Sequence, residues 1–187
     1  MRFKLFLERE GEEDKKTLYL FGKIPEDFQK KYYENLDVCD EDTLEMERDP
    51  HMTFLYLPEP VRGMSGREMY ECIQPLLQGK SFTVTTKAYE VFKGVGFNEE
   101  KDAADCLVVR LEASDEMKEI REEVKQKLKD SGCEFTETYP EYKPHMTIGY
   151  FKKGKTPMFE NTFEAEEILL PEIQFQYGGS DKERQSF

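Results

Sequence analysis

The sequence predicts an α+β fold: one bilobal domain with antiparallel-rich sheets flanked by helices, the two lobes related by a pseudo-twofold axis. Three observations predict it. The octapeptide Pro50-His51-Met52-Thr53-Phe54-Leu55-Tyr56-Leu57 returns as Pro144-His145-Met146-Thr147-Ile148-Gly149-Tyr150-Phe151, identical at five of eight positions. Helix-then-strand units recur in both halves, and no linker-like stretch separates them. Each lobe is therefore expected to give one His-x-Thr strand to a central cleft. The domain is expected over residues 1–177, with 178–187 a disordered tail.

The elements follow in order. Residues 2–7 and 17–21 are apolar, β-prone runs around the polar Gly11-Glu12-Glu13-Asp14, which reads as a hairpin with Thr17-Leu18-Tyr19-Leu20-Phe21 opening the main sheet. Pro25 suits the first turn of a helix through about Leu36, with Phe28, Tyr32 and Leu36 at helical spacing. The acidic segment from Asp37 to Glu47 reads as a solvated loop. Pro50 then permits a strand entry, and Pro58 and Pro60 end that strand.

Ser65-x-x-Glu68 is a capping-box signature for a helix to about Leu77, with Pro75 predicting a kink or an early end. Lys80 to Phe92 alternates as one long strand or two short ones. Gly94-Val95-Gly96-Phe97 lacks the rest of a dinucleotide-binding glycine pattern and reads as a turn or flexible loop. Cys106-Leu107-Val108-Val109-Arg110-Leu111 is the most apolar strand. Asp115 to Ser131 carries Met117, Ile120, Val124 and Leu128 along one helical stripe, ended by Gly132. Ile168 to Tyr177 supplies a closing strand or strand pair.

The octapeptides carry the chemistry. Strand side chains alternate between faces, so His51, Thr53 and Leu55 share one face and Met52, Phe54 and Tyr56 the other. The same alternation groups His145, Thr147, Gly149 and Phe151 against Met146, Ile148 and Tyr150. The even-numbered residues read as core, which assigns Tyr56 and Tyr150 to the interior. These are the only two histidines in the chain, and each holds the same place in its copy. An imidazole and a hydroxyl two residues apart, about 7 Å along a strand, reach one anion between two such strands. Tyr19, Tyr142 and Phe151 are the candidates for stacking on a planar ligand, each weighed against a packed core aromatic.

Bulk properties narrow the partners. Net charge is −13, forty acidic residues against twenty-seven basic ones, which favours a small nucleotide or a short oligonucleotide over long duplex nucleic acid. No window approaches a membrane span, and the start is too short and too charged for a secretory signal. Cys39, Cys72, Cys106 and Cys133 are widely spaced and read as free thiols of a cytoplasmic protein. Neither histidine has a second ligand at metal spacing, so no metal or cofactor is expected, and a monomer is.

With His51, Thr53, His145 and Thr147, the twin His-x-Thr strands resemble those of the two-histidine (2H) phosphoesterase superfamily, which includes LigT-like 2'-5' RNA ligases and cyclic phosphodiesterases. Tyr142-Lys143-Pro144 before the second histidine is close to that family's aromatic-x-Pro-His-x-Thr form. The first copy is more like phage and bacterial branches, and the similarity spans roughly residues 17 to 177. The resemblance implies catalysis by His51, Thr53, His145 and Thr147 without a metal, on 2',3'-cyclic phosphates, 2'-5' linkages or cyclic nucleotides. Phage and viral relatives destroy such nucleotides as immune signals, which would set the enzyme in a host cytoplasm. RNA-end processing, or a nucleotide-binding module without turnover, are the alternatives.

Overall fold

The computed structural model describes residues 17–34, 36–57, 61–97, 100–137, 141–160, 164–178 and 185–187. Along the chain these form β1 (Leu18–Lys23), α1 (Glu26–Tyr33), β2 (Thr43–Met46), β3 (His51–Leu57), α2 (Gly66–Leu77), β4 (Phe82–Phe97), β5 (Glu100–Ala113), α3 (Asp115–Asp130), β6 (His145–Lys152), β7 (Glu167–Leu170), β8 (Ile173–Tyr177) and β9 (Gln185–Ser186). Among the described residues the strands join in one sheet, in the order β7-β4-β5-β6-β3-β1-β8-β9, with β2 also on β6. All pairings are antiparallel.

One face of the sheet is covered by the helices. Tyr32 of α1, Met69, Ile73 and Leu77 of α2, and Met117, Ile120, Val124 and Leu128 of α3 share a buried cluster with Leu18, Leu20, Met52, Phe54, Leu107, Val109, Met146 and Ile148. The apolar stripe of α3 is thus the predicted one, and its N-cap Ser114 accepts from Met117 N. Ser65 and Glu68 form the reciprocal capping box of α2, and Pro75 lies so near the C-terminus that the helix still reaches Leu77. Pro25 stands at the N-cap of α1 rather than within its first turn, and the helix stops at Tyr33, short of Leu36.

Four expectations are corrected or bounded. The acidic segment is not wholly a loop: Thr43–Met46 pairs with β6. Gly149 admits it, because a Cβ there would come within 2.9 Å of the Glu45 carbonyl oxygen and the Met46 sulfur. Gly94–Phe97 continues β4 rather than turning, with register shifts against β5 that absorb the glycines. Gly94, at φ 65°, donates its amide to Asp105 Oδ1 at 3.0 Å, and Gly154 donates to Oδ2 at 2.8 Å. Burial pushes Asp105 up, yet these amides, with the charges of Lys93 and Lys153, outweigh it and hold the carboxyl below its ordinary value. The expected disordered tail instead ends in β9, which pairs with β8, and Phe187 stacks on Tyr70 at 4.7 Å. The proposed hairpin arm at 2–7 lies outside the described residues.

Candidate functional site

The two octapeptide strands lie side by side at the centre of the sheet. β3 and β6 meet at a single antiparallel pair, Met52 opposite Met146, both fully buried on the helix-covered face. The alternation then puts His51 beside Thr147 and Thr53 beside His145 on the opposite face. That places the two imidazoles on a diagonal across the Met52–Met146 pair.

Beyond each threonine the strand bulges. In β3 the register to β1 runs Phe21↔Thr53 and then Leu20↔Leu55, so Phe54 is the extra residue. In β6 the register to β5 runs Val108↔Thr147 and then Leu107↔Gly149, so Ile148 is the extra residue. The bulge falls three residues after the histidine in both copies. A bulge frees backbone groups that must find other partners. The buried Gln29 of α1 donates to the Thr147 carbonyl at 2.9 Å and to the Glu47 carbonyl at 3.2 Å, and Glu47 N donates to the Ile148 carbonyl. In the other copy the buried Arg121 of α3 donates Nε–H to the Phe54 carbonyl at 2.9 Å, and the Tyr142 hydroxyl donates to the Thr53 carbonyl at 3.3 Å. A buried polar side chain from a helix thus pins each bulge, and with it the adjacent threonine.

The histidines are oriented alike. His51 Nδ1–H donates to the Asp49 carbonyl and His145 Nδ1–H to the Lys143 carbonyl, each at 2.8 Å. A carbonyl only accepts, so the neutral form of each ring carries its proton on Nδ1 and its lone pair on Nε2. Phe21 meets His51 edge-on at 5.8 Å, and Phe92 meets His145 edge-on at 4.8 Å. Burial lowers the proton affinity of His145, and the charges of His51 and Arg110 lower it further, against the opposing bond to Lys143. Other groups stand by the threonines. Tyr19 Oη is 3.1 Å from Thr53 Oγ1, and the Cys106 thiol, which donates to the Leu107 carbonyl at 3.9 Å, lies near Thr147. Burial pushes the Cys106 thiol up to about 12, so it stays protonated.

A family model for the 2'-5' RNA ligase superfamily matches residues 41–178, well over half of the chain and including both octapeptides. The chain belongs to that superfamily. It is therefore an enzyme of the two-histidine phosphoesterase type, acting on phosphodiesters. Solved structures carry the same fold. TT0787 of Thermus thermophilus aligns at 14% identity and a TM-score of 0.61, covering 91% of this chain and 93% of that one. Kluyveromyces marxianus Usb1 aligns at 12% identity and 0.56, over 92% and 98%. E. coli LigT complexed with 3'-AMP aligns at 12% and 0.55, again over 92% and 98%. No curated protein sequence matches the chain.

Within this member of the 2'-5' RNA ligase superfamily, His51, Thr53, His145 and Thr147 are brought together on one face, and Tyr19 stands among them. Two expectations from strand alternation fail. Phe151, expected on the His145 face as a stacking residue, is 1% exposed in the core. The bulge at Ile148 inverts the alternation after Thr147, which turns Phe151 inward and Tyr150 to the cleft side. The bulge at Phe54 does the same for Leu55 and Tyr56. Tyr56 meets Tyr19 edge-on at 5.5 Å, and Phe97 tilts over Tyr150 at 5.4 Å. The repetition of the tyrosine in both octapeptides was the available signal. Tyr142 props Thr53 from behind, and the Arg121 guanidinium covers one face of its ring at 4.4 Å. Glu47 was not singled out, yet its charge bears on Tyr19, Tyr150 and Cys106. Burial raises its proton affinity, against amides of Asp49 and Arg48. Among the described residues no three His, Cys, Asp or Glu side chains gather as a metal site, and no helix is long and apolar enough to cross a membrane.

Proposed function

We propose that this protein cleaves a nucleotide phosphodiester held between its two imidazoles, with the paired histidines as acid and base. Neutral His145 takes the proton from the attacking oxygen, which bonds to phosphorus. Protonated His51 gives its proton to the oxygen that departs. The Thr53 and Thr147 hydroxyls donate to the non-bridging oxygens as negative charge grows there. The burial of His145 and the nearby Arg110 charge favour its neutral form, which suits the base.

The observation that carries this reading is the single Met52–Met146 pair, which brings both His-x-Thr faces to one seam with matching ring tautomers. A small substrate fits the net charge of −13. It also fits the mononucleotides named for two neighbours, 3'-AMP for E. coli LigT and uridine monophosphate for Kluyveromyces marxianus Usb1.

The test is a panel of 2',3'-cyclic phosphate ends, linear 2'-5' oligonucleotides and cyclic dinucleotides, with products read by mass spectrometry. New phosphomonoester or opened cyclic phosphate is expected from at least one class. The class found separates RNA-end processing from destruction of a nucleotide signal. Binding without product between about pH 5 and 8, where imidazole titrates, would replace the enzyme with a binding module.

A further inference from the structure

Arg110 faces His145 directly across the β5–β6 pairing, so the two side chains share the cleft face. Its guanidinium carbon lies 5.9 Å from the centre of the Phe92 ring, the same ring that meets His145 edge-on. Nη1 donates to Glu90 at 3.2 Å. Nε is buried and has no hydrogen-bond partner among the described residues. A guanidinium offers its donors as a planar fork that suits phosphate oxygens, and a buried donor left unmatched is costly.

The position of Arg110 determines which phosphate it meets. A phosphorus reached by both imidazoles lies between β3 and β6. Arg110 stands on the other side of His145, one strand farther from β3, a spacing of about 4.8 Å. From it a groove of about 740 Å³ runs on past Lys87, Lys118, Tyr142 and Lys143. That volume suits a nucleotide-sized ligand. The lysines there are each paired, Lys87 to Glu112, Lys118 to Asp115 and Lys143 to Glu141, whereas Arg110 is paired to Glu90 through Nη1 alone and its Nη2 has no hydrogen-bond partner among the described residues.

We infer that Arg110 forms a subsite for a second phosphate, the one that flanks the scissile diester on the His145 side, so that the preferred substrate carries at least two phosphates. The inference rests on the phosphodiesterase reading above and narrows its substrate class to oligonucleotides over cyclic mononucleotides.

The experiment compares two oligonucleotides that share the scissile diester, one with an ordinary phosphate at the flanking position and one with a neutral methylphosphonate. In the wild-type protein the charged substrate is expected to lead by about 10–100-fold in kcat/KM, the usual range for a charge-assisted hydrogen bond. Arg110→Ala is expected to bring that ratio to about one, and Arg110→Lys to an intermediate value, because lysine keeps the charge and loses the fork. A wild-type ratio near one overturns the inference and needs no variant. So does a ratio preserved in Arg110→Ala while both substrates slow equally, which would make Arg110 a positioning residue for His145. A protein that cleaves only cyclic mononucleotides overturns it and leaves the phosphodiesterase reading intact. Failure to cleave any substrate overturns both.

Discussion

The Tyr19 phenol lies 3.1 Å from the Thr53 hydroxyl, on the strand that pairs with β3. Burial pushes the phenol above its ordinary value, so it remains protonated and the pair shares neutral hydrogen bonds. The phenol orients the hydroxyl that the proposed mechanism aims at the phosphate. Tyr19→Phe keeps the ring and removes that orientation. It is expected to lower kcat about fivefold, the equivalent of about 1 kcal/mol for one hydrogen bond, with little change in melting temperature. Steady-state kinetics beside a thermal melt checks both.

Loss of either imidazole has a larger effect. His51→Ala and His145→Ala are each expected to lower kcat by about 10²–10⁴-fold while the fold persists, since both rings point away from the core. Near-wild-type turnover in either variant, with an unchanged melt, would remove that histidine from the mechanism.

Gln29→Leu tests the pin beneath Thr147. The substitution leaves the Thr147 and Glu47 carbonyls without their side-chain donor inside the protein. It is expected to cost about 1–3 kcal/mol in a urea melt and to slow turnover as well, because the bulge that aims Thr147 loosens. A stability loss with kcat intact would mean that the bulge holds without it.

The pH profile follows from His145. Burial, then the charges of His51 and Arg110, depress its proton affinity, so the ring stays neutral to a lower pH than an ordinary histidine. In the proposed mechanism neutral His145 is the active form, and the acidic limb of kcat/KM is therefore expected below about pH 6.5. Phe92→Ala admits water to the ring, raises its affinity for a proton and moves that limb upward. The linkage to stability has the same sign. The unfolded chain binds the proton more readily, so this site's contribution declines as pH falls below about 6.5. A limb that rests at or above that value in the wild type would contradict the assignment.

Chelation is the last test. Two imidazoles and two hydroxyls supply every proton transfer and charge contact in the scheme. EDTA is expected to leave the rate unchanged after prolonged dialysis, and a large loss restored by a divalent ion would require a different mechanism.

The sheet-forming and helix-forming segments were readable because hydrophobic period and capping chemistry act locally: the Ser65–Glu68 box and the Met117–Leu128 stripe stand as the sequence has them. The His-x-Thr pairs were readable because they repeat. What failed depended on tertiary pairing. Strand parity is reliable only where the ladder is regular, and a bulge at Phe54 and another at Ile148 exchange the faces of every residue that follows. Phe151 and Tyr150 therefore changed places. β2 was hidden for a related reason. Thr43–Met46, in an acidic segment, finds a place beside β6 because Gly149 leaves room there, a fact about a partner more than a hundred positions away.

The Met52–Met146 rung also has a consequence for the reach of the reaction. The spacing of the two His-x-Thr faces is set from the hidden side, where both methionine side chains lie buried in the interior. Anyone wishing to retune this molecule for a bulkier or slimmer diester would do well to begin underneath, leaving the working surface untouched.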